Sequence, residues 1–150
     1  MGVRSSLFRS VGVLIAILTA AACGWTQSKS AQSPYHQVKK TVLGGEGGWD
    51  YFTADPSTHR VYIARGEYVM VLDADGNVVG KMDVGKDNEA HAVAMAPDLR
   101  LAFTSNGGGS SVTVFDPETM SVVREVKIKD RDTDDIMYEP STKRVFTSLG

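Results

Sequence analysis

Three stretches of the chain can be written one beneath another, and their likeness decides the fold. Asp50-Tyr-Phe-Thr-Ala-Asp-Pro-Ser-Thr-His-Arg-Val-Tyr-Ile-Ala64 matches His91-Ala-Val-Ala-Met-Ala-Pro-Asp-Leu-Arg-Leu-Ala-Phe-Thr-Ser105, and both match Asp134-Asp-Ile-Met-Tyr-Glu-Pro-Ser-Thr-Lys-Arg-Val-Phe-Thr-Ser148. Pro56, Pro97 and Pro140 mark a period of about 42 residues, which belongs to propeller blades or to paired-helix repeats. The local pattern chooses between them. Arg60–Ala64, Tyr68–Leu72, Leu101–Ser105 and Ser111–Asp116 are short runs of β-branched and aromatic residues with apolar alternation, and none reaches helical length. Turn formers separate them at Asp55-Pro56-Ser57, Asp73–Asn77, Asn106–Gly109, Asp116-Pro117 and Glu139-Pro140-Ser141. The pattern predicts an all-β protein whose four-stranded antiparallel repeats are β-propeller blades.

Working outward, residues 50–86 make a first blade with strands at 51–54, 60–64, 68–72 and 78–84. Residues 91–130 make a second, with strands at 92–96, 101–105, 112–115 and 122–128. Residues 134–150 open a third blade. Upstream, Gln37-Val-Lys-Lys-Thr-Val-Leu43 has the pattern of a fourth strand, and a fourth-type strand ahead of the first blade is how a propeller closes its ring and hides its edges. Residues 23–150 fall short of four blades at about 42 residues each. The expectation is therefore the N-terminal part of a longer, seven-bladed ring, with about two and a half blades present. The rival expectation is a short protein that closes by self-association.

The N-terminus reads as an address. Arg4 and Arg9 form a basic start, and Val11–Ala22 is an uncharged, mostly apolar run. A membrane-spanning helix takes roughly 20 residues, so this run fits a signal peptide over residues 1–22. Cys23 is the only cysteine of the 150 residues, which excludes an internal disulfide and a Cys-rich zinc site. Leu18-Thr-Ala-Ala-Ala-Cys23 resembles a bacterial lipobox, with Ala20 where Leu or Val is usual. Cleavage would then leave Cys23 lipidated, anchoring an exported protein in the periplasm or at the cell surface; simple cleavage after Ala22 is the alternative. Residues 23–33, rich in Ser and Gln, read as a tether to a folded body at 34–150. The formal charge is −2, and losing two arginines with the signal peptide makes the remainder more acidic. That disfavours nucleic acid, whose binding needs clustered Lys and Arg.

Phe103-Thr-Ser-Asn106, followed by Ser111-Val-Thr-Val-Phe-Asp116 and Val122-Val123, resembles the repeat signature of the YVTN-family β-propellers, the YncE-like group. Gly48-Trp-Asp-Tyr-Phe-Thr-Ala-Asp-Pro-Ser-Thr58 is similar to that family's blade opening. The likeness covers about Val38 to Gly150; Phe103, Thr104 and Ser105 depart from the usual Tyr, Val and Thr. The resemblance implies an exported seven-bladed propeller. Some members are described as DNA-binding, and others lie near lactonases or quinoprotein dehydrogenases.

In a propeller, the loops that enter the innermost strands converge at one mouth of the channel. Glu46, Trp49 and Asp50, then Glu89 and His91, then Asp132, Asp134 and Asp135 hold those positions. An oxygen-rich rim of this kind suits Ca²⁺ or another divalent cation, or a cationic or hydroxylated small-molecule or protein ligand. The competing reading has these carboxylates capping turns. Trp49 is either a ligand platform or packing between blades. Asp73-Ala-Asp-Gly-Asn77 is a turn and not an EF-hand, because Val78 stands where the loop needs Gly and Val84 where it needs Glu. No catalytic constellation, phosphate loop or haem motif is visible, and Gly107–Gly109 reads as a flexible turn tip. The function these features predict is an envelope binding or scaffold module; the alternative is a lactonase-like, metal-dependent hydrolase.

Overall fold

The computed structural model describes residues 34–130 and 132–150; the signal peptide, Cys23 and the tether lie outside the described residues. The chain divides into two units, 1–40 and 41–150. The fold is that of the second, and residues 35–40 of the first carry no regular secondary structure.

Ten strands follow in order: β1 (Phe52–Asp55), β2 (Arg60–Arg65), β3 (Tyr68–Leu72), β4 (Val78–Asp83), β5 (Ala90–Ala96), β6 (Leu101–Asn106), β7 (Ser111–Asp116), β8 (Ser121–Lys127), β9 (Thr133–Glu139) and β10 (Arg144–Leu149). They form two four-stranded sheets, β1-β2-β3-β4 and β5-β6-β7-β8, and a two-stranded sheet of β9 and β10. Every pairing is antiparallel between chain neighbours. Two propeller blades and the inner half of a third are thus present. Strand β5 begins earlier than its sequence pattern suggested, at Ala90, which takes His91 into the sheet.

Residues 37–43, expected as the strand that completes the last blade of the ring, carry no regular secondary structure. Blades 1 and 2 already have their own fourth strands, β4 and β8, and neither is the blade that such a strand would complete.

The core lies between the sheets. Tyr62, Val69, Val71 and Met82 of blade 1 are buried against Ala90, Val93, Ala102 and Phe115 of blade 2. On the opposite face of blade 2, Ala92, Ala94, Phe103, Val112 and Val114 are buried with Ile136 of the third sheet. Side chains of a strand alternate between faces, so each sheet serves two interfaces at once. Strand β5 is the extreme case, with alanine at 90, 92, 94 and 96.

The turn carboxylates hold the hairpins. Ser57 N (2.9 Å), Ser57 Oγ (2.6 Å) and Thr58 Oγ1 (2.7 Å) donate to the Asp55 carboxylate. Burial would raise the Asp55 pKa, but these donors outweigh it and hold it below the ordinary range. At the equivalent turn of the third sheet, the Ser141 and Thr142 hydroxyls and amides bring Glu139 down to about 2. Blade 2 has Ala96 at that position and makes a 3₁₀ turn at Pro97–Leu99 instead. Asp73 accepts from Asn77 N at 2.8 Å in the β3–β4 hairpin turn.

Candidate functional site

The repeat places Asp50, His91 and Asp134 at one register position in three successive sheets, and the fold brings them together. Asp50 stands just before β1, His91 in β5 and Asp134 in β9. His91 Nδ1 lies 3.3 Å from Asp134 Oδ1 and 3.4 Å from Asp50 Oδ2. One imidazole edge is therefore shared between the carboxylates of both neighbouring blades.

Backbone and hydroxyl groups fix this row. Tyr51 N donates to the His91 carbonyl at 3.1 Å, and Thr53 Oγ1 to the Val93 carbonyl at 2.6 Å, so β1 is tied to β5. Ser105 Oγ accepts from Ala92 N at 3.2 Å and donates to the Asp134 carbonyl, which ties β5 to β9. Beneath them lies a buried polar layer. Asn106 Nδ2 donates to Ser111 Oγ (3.0 Å) and Thr113 Oγ1 (2.8 Å), and Thr133 Oγ1 accepts from Asn106 N at 3.2 Å. Asn106 Oδ1 is buried with no protein partner. The other groups of the layer are paired, and this pairing favours one arrangement, because each alternative leaves further polar groups unpaired in a low dielectric.

The remaining rim residues separate into distinct environments. Asp132 approaches Gly107, as His91 does: a Cβ there would stand 3.0 Å from its Oδ1. Asp135 is exposed, and its carboxylate accepts from the neighbouring Ile136 N at 2.8 Å, a local cap. Glu46 and Glu89 line another cleft of about 510 Å³, together with Glu67, Lys81, Asp83 and Asp87. Trp49 stacks on Arg65, whose guanidinium carbon lies 3.7 Å from the ring centre. The packing alternative for Trp49 thus has a partner, but within blade 1 and not between blades.

Arg65 carries no motif in the sequence. It is 1% exposed and donates through Nη1 to the Gly44 carbonyl at 2.6 Å and through Nη2 to the Gly45 carbonyl at 3.0 Å. It forms no ion pair among the described residues. The repeat did hold a signal, since Arg65 and Asn106 share one register position at the end of the second strand, and both are buried and polar.

Gly107–Gly109 is not the flexible tip expected of three consecutive glycines. A Cβ on Gly107 would stand 2.6 Å from His91 Nε2, one on Gly108 would fall on the Asp87 carbonyl oxygen, and one on Gly109 on the Asn88 side-chain oxygen. The turn lacks side chains because its neighbours fill their space. Gly108→Ala must move backbone, and overpacking of that kind costs about 1–3 kcal/mol. Gly48→Ala, with nothing within 4 Å of the added carbon, is the internal control and should lie within about 0.5 kcal/mol of the parent. Urea unfolding of both variants checks this, and equal midpoints would show that the turn has room.

No protein-family model matches the chain, and no curated protein matches it. Solved structures do. The chain is similar to Kuenenia stuttgartiensis hydrazine synthase, with 22% identity over 77% of this chain and 33% of that one, and a TM-score of 0.62. It is similar to the β-propeller domain of Myceliophthora thermophila Cps50 (Swd1), with 15% identity over 73% of this chain and 35% of that one, and a TM-score of 0.60. Saccharomyces cerevisiae Sqt1 gives 15% identity, 71% and 31% coverage, and a TM-score of 0.61. The chain spans about a third of each. At these identities the likeness concerns architecture alone, and with the two complete blades it establishes a β-propeller fold.

Proposed function

We propose that this chain is part of an exported, YncE-like β-propeller that serves as a binding or scaffold module of the cell envelope. It would be held in the periplasm or at the cell surface by a lipid on Cys23, and would take a small-molecule or protein ligand at the propeller mouth. Export and lipidation rest on the basic start, the apolar run and the lipobox-like Leu18–Cys23. One observation carries the binding reading: Asp50, His91 and Asp134 come from three successive blades and meet within 3.4 Å of one imidazole nitrogen. A row built from several rigid sheets is pre-organised, which lowers the ordering cost of binding. Its carboxylates suit a cationic or hydroxylated group and repel a polyanion such as nucleic acid.

The test follows the His91 ring by NMR while spermidine, glucose or Ca²⁺ is added at low salt. Spermidine or glucose should shift the His91 signals saturably, and Asp50→Asn with Asp134→Asn should abolish the response. Silence towards all three probes would overturn the reading. A response to Ca²⁺ alone would favour the lactonase-like hydrolase instead, although among the described residues no three such side chains are arranged to hold a metal ion.

A further inference from the structure

Asp50, His91 and Asp134 hold one register position, which the repeat fills with acid, imidazole and acid in turn. Nδ1 of the ring stands 3.3 Å from Asp134 Oδ1 and 3.4 Å from Asp50 Oδ2. A tight hydrogen bond between an imidazolium and a carboxylate closes to about 2.7–2.9 Å. The ring is therefore held between two carboxylates and committed to neither. Each gives it one oxygen and keeps the other.

The elements around the ring add acids and no base. Asp50 comes from the segment before β1, and Asp134 from β9. Asp132, just before β9, stands towards the second ring nitrogen: the place of a Cβ on Gly107 is 3.0 Å from its Oδ1 and 2.6 Å from His91 Nε2. The β6–β7 turn brings only the glycine backbone of 107–109. Just before β5, Glu89 sets its carboxylate against Gly108, and Asp135 caps the Ile136 amide. Among the described residues no Lys or Arg pairs with Asp50, Asp132 or Asp134. His91 is the group of this row that can turn positive.

A row of aspartates alone would attract a cation throughout the neutral and mildly acidic range. The histidine makes that attraction conditional. With a neutral ring, three carboxylates face an uncharged partner. With a protonated ring, both ring N–H groups seek the oxygens that the N–H groups of a ligand would use, and the imidazolium repels a second cation. Side-chain exposures of 23% for His91, 37% for Asp50 and 39% for Asp134 leave the row open to protons and ligands. Partial burial also screens these charges less than open solvent would.

We infer that the row takes an ammonium-type cation in exchange for a proton on His91. The inference rests on the row being the ligand site, and it narrows the ligand to a cation, because a hydroxylated group brings no charge for the imidazolium to repel. The proton passes from the ring to the buffer, and no covalent bond changes. Coupling between two bound species is reciprocal. Acid expels the cation, and the cation expels the proton.

Putrescine is the probe, since primary amines like that of lysine stay protonated across the imidazole range. The full chain should bind it about tenfold or more weakly at about pH 5 than at about pH 7.5. Calorimetry at about pH 6.5, in buffers of different ionisation enthalpy, should show protons released on binding. His91→Asn should bring the ratio of the two dissociation constants close to one, whatever its absolute affinity. His59→Asn, in an exposed turn, should keep the ratio of the parent. Binding that ignores pH or releases no proton would overturn the exchange and leave the binding reading standing. An unchanged ratio in His91→Asn would also overturn it, because the proton then sits on another group. No putrescine binding at either pH would overturn both readings together.

Discussion

Phe115→Ala is expected to lower the unfolding free energy by about 3–5 kcal/mol, the range for removing a fully buried aromatic ring. Phe115 has no solvent exposure and sits in the core between the first two blades. Its ring centre lies 6.4 Å from that of Tyr62, with the planes tilted by 51°, a geometry worth about 0.5–1.5 kcal/mol beyond the buried area. The cavity would open between two sheets whose spacing hydrogen bonds also hold, among them those of Arg60 Nη1 and Tyr62 Oη to the Pro117 carbonyl, so local collapse is limited. A total stability of about 5–15 kcal/mol leaves little after such a loss. Phe115→Leu, a milder change expected to cost under about 1.5–2 kcal/mol, therefore serves as the measurable companion. Urea midpoints of both variants test the claim. A loss below about 1 kcal/mol for alanine would show that the two blades do not depend on this contact.

The second large effect is expected at Arg65. Arg65→Ala removes two short charge-assisted hydrogen bonds to the Gly44 and Gly45 carbonyls and the stack on Trp49. Charged hydrogen bonds are worth about 1.5–3 kcal/mol each. The glycine carbonyls lie in an exposed loop and regain water when the donor leaves, so the net loss should be about 2–4 kcal/mol. A readout specific to the stack is available: in a Trp25→Phe background, Trp49 emission should shift to the red and its near-ultraviolet dichroism should weaken. Arg65→Lys keeps the charge but not the planar fork, and should recover less than half of the loss. Full recovery by lysine would mean that charge alone, and not the fork and the stack, secures the loop.

Strands, turns and blade order were legible because they are written locally. Asp55-Pro56 and Glu139-Pro140 start turns whatever surrounds them, and Val69–Leu72 or Val112–Phe115 read as strand from composition. The meeting of Asp50, His91 and Asp134 was legible for another reason: a repeat turns one register position into a spatial row. What the chain did not disclose depends on partners. Three glycines at 107–109 look like freedom until Asp87, Asn88 and His91 are placed against them. Arg65 resembles any charged strand end, and only the bare carbonyls of Gly44 and Gly45 give it a task.

The alanine row of β5 has one more consequence. With methyl groups at 90, 92, 94 and 96 on the innermost strand, and Phe115 and Met120 towards its rim, blade 2 is a wedge. Wedges laid side by side follow an arc, and the angle of each step is set by the difference in side-chain bulk between hub and rim. Curvature in this protein is thus stored as a gradient of volume along the radius. Enlarging Ala92 or Ala94 would thicken the hub side of blade 2 where it packs with Phe103, Val112 and Ile136, and so flatten the arc between neighbouring blades.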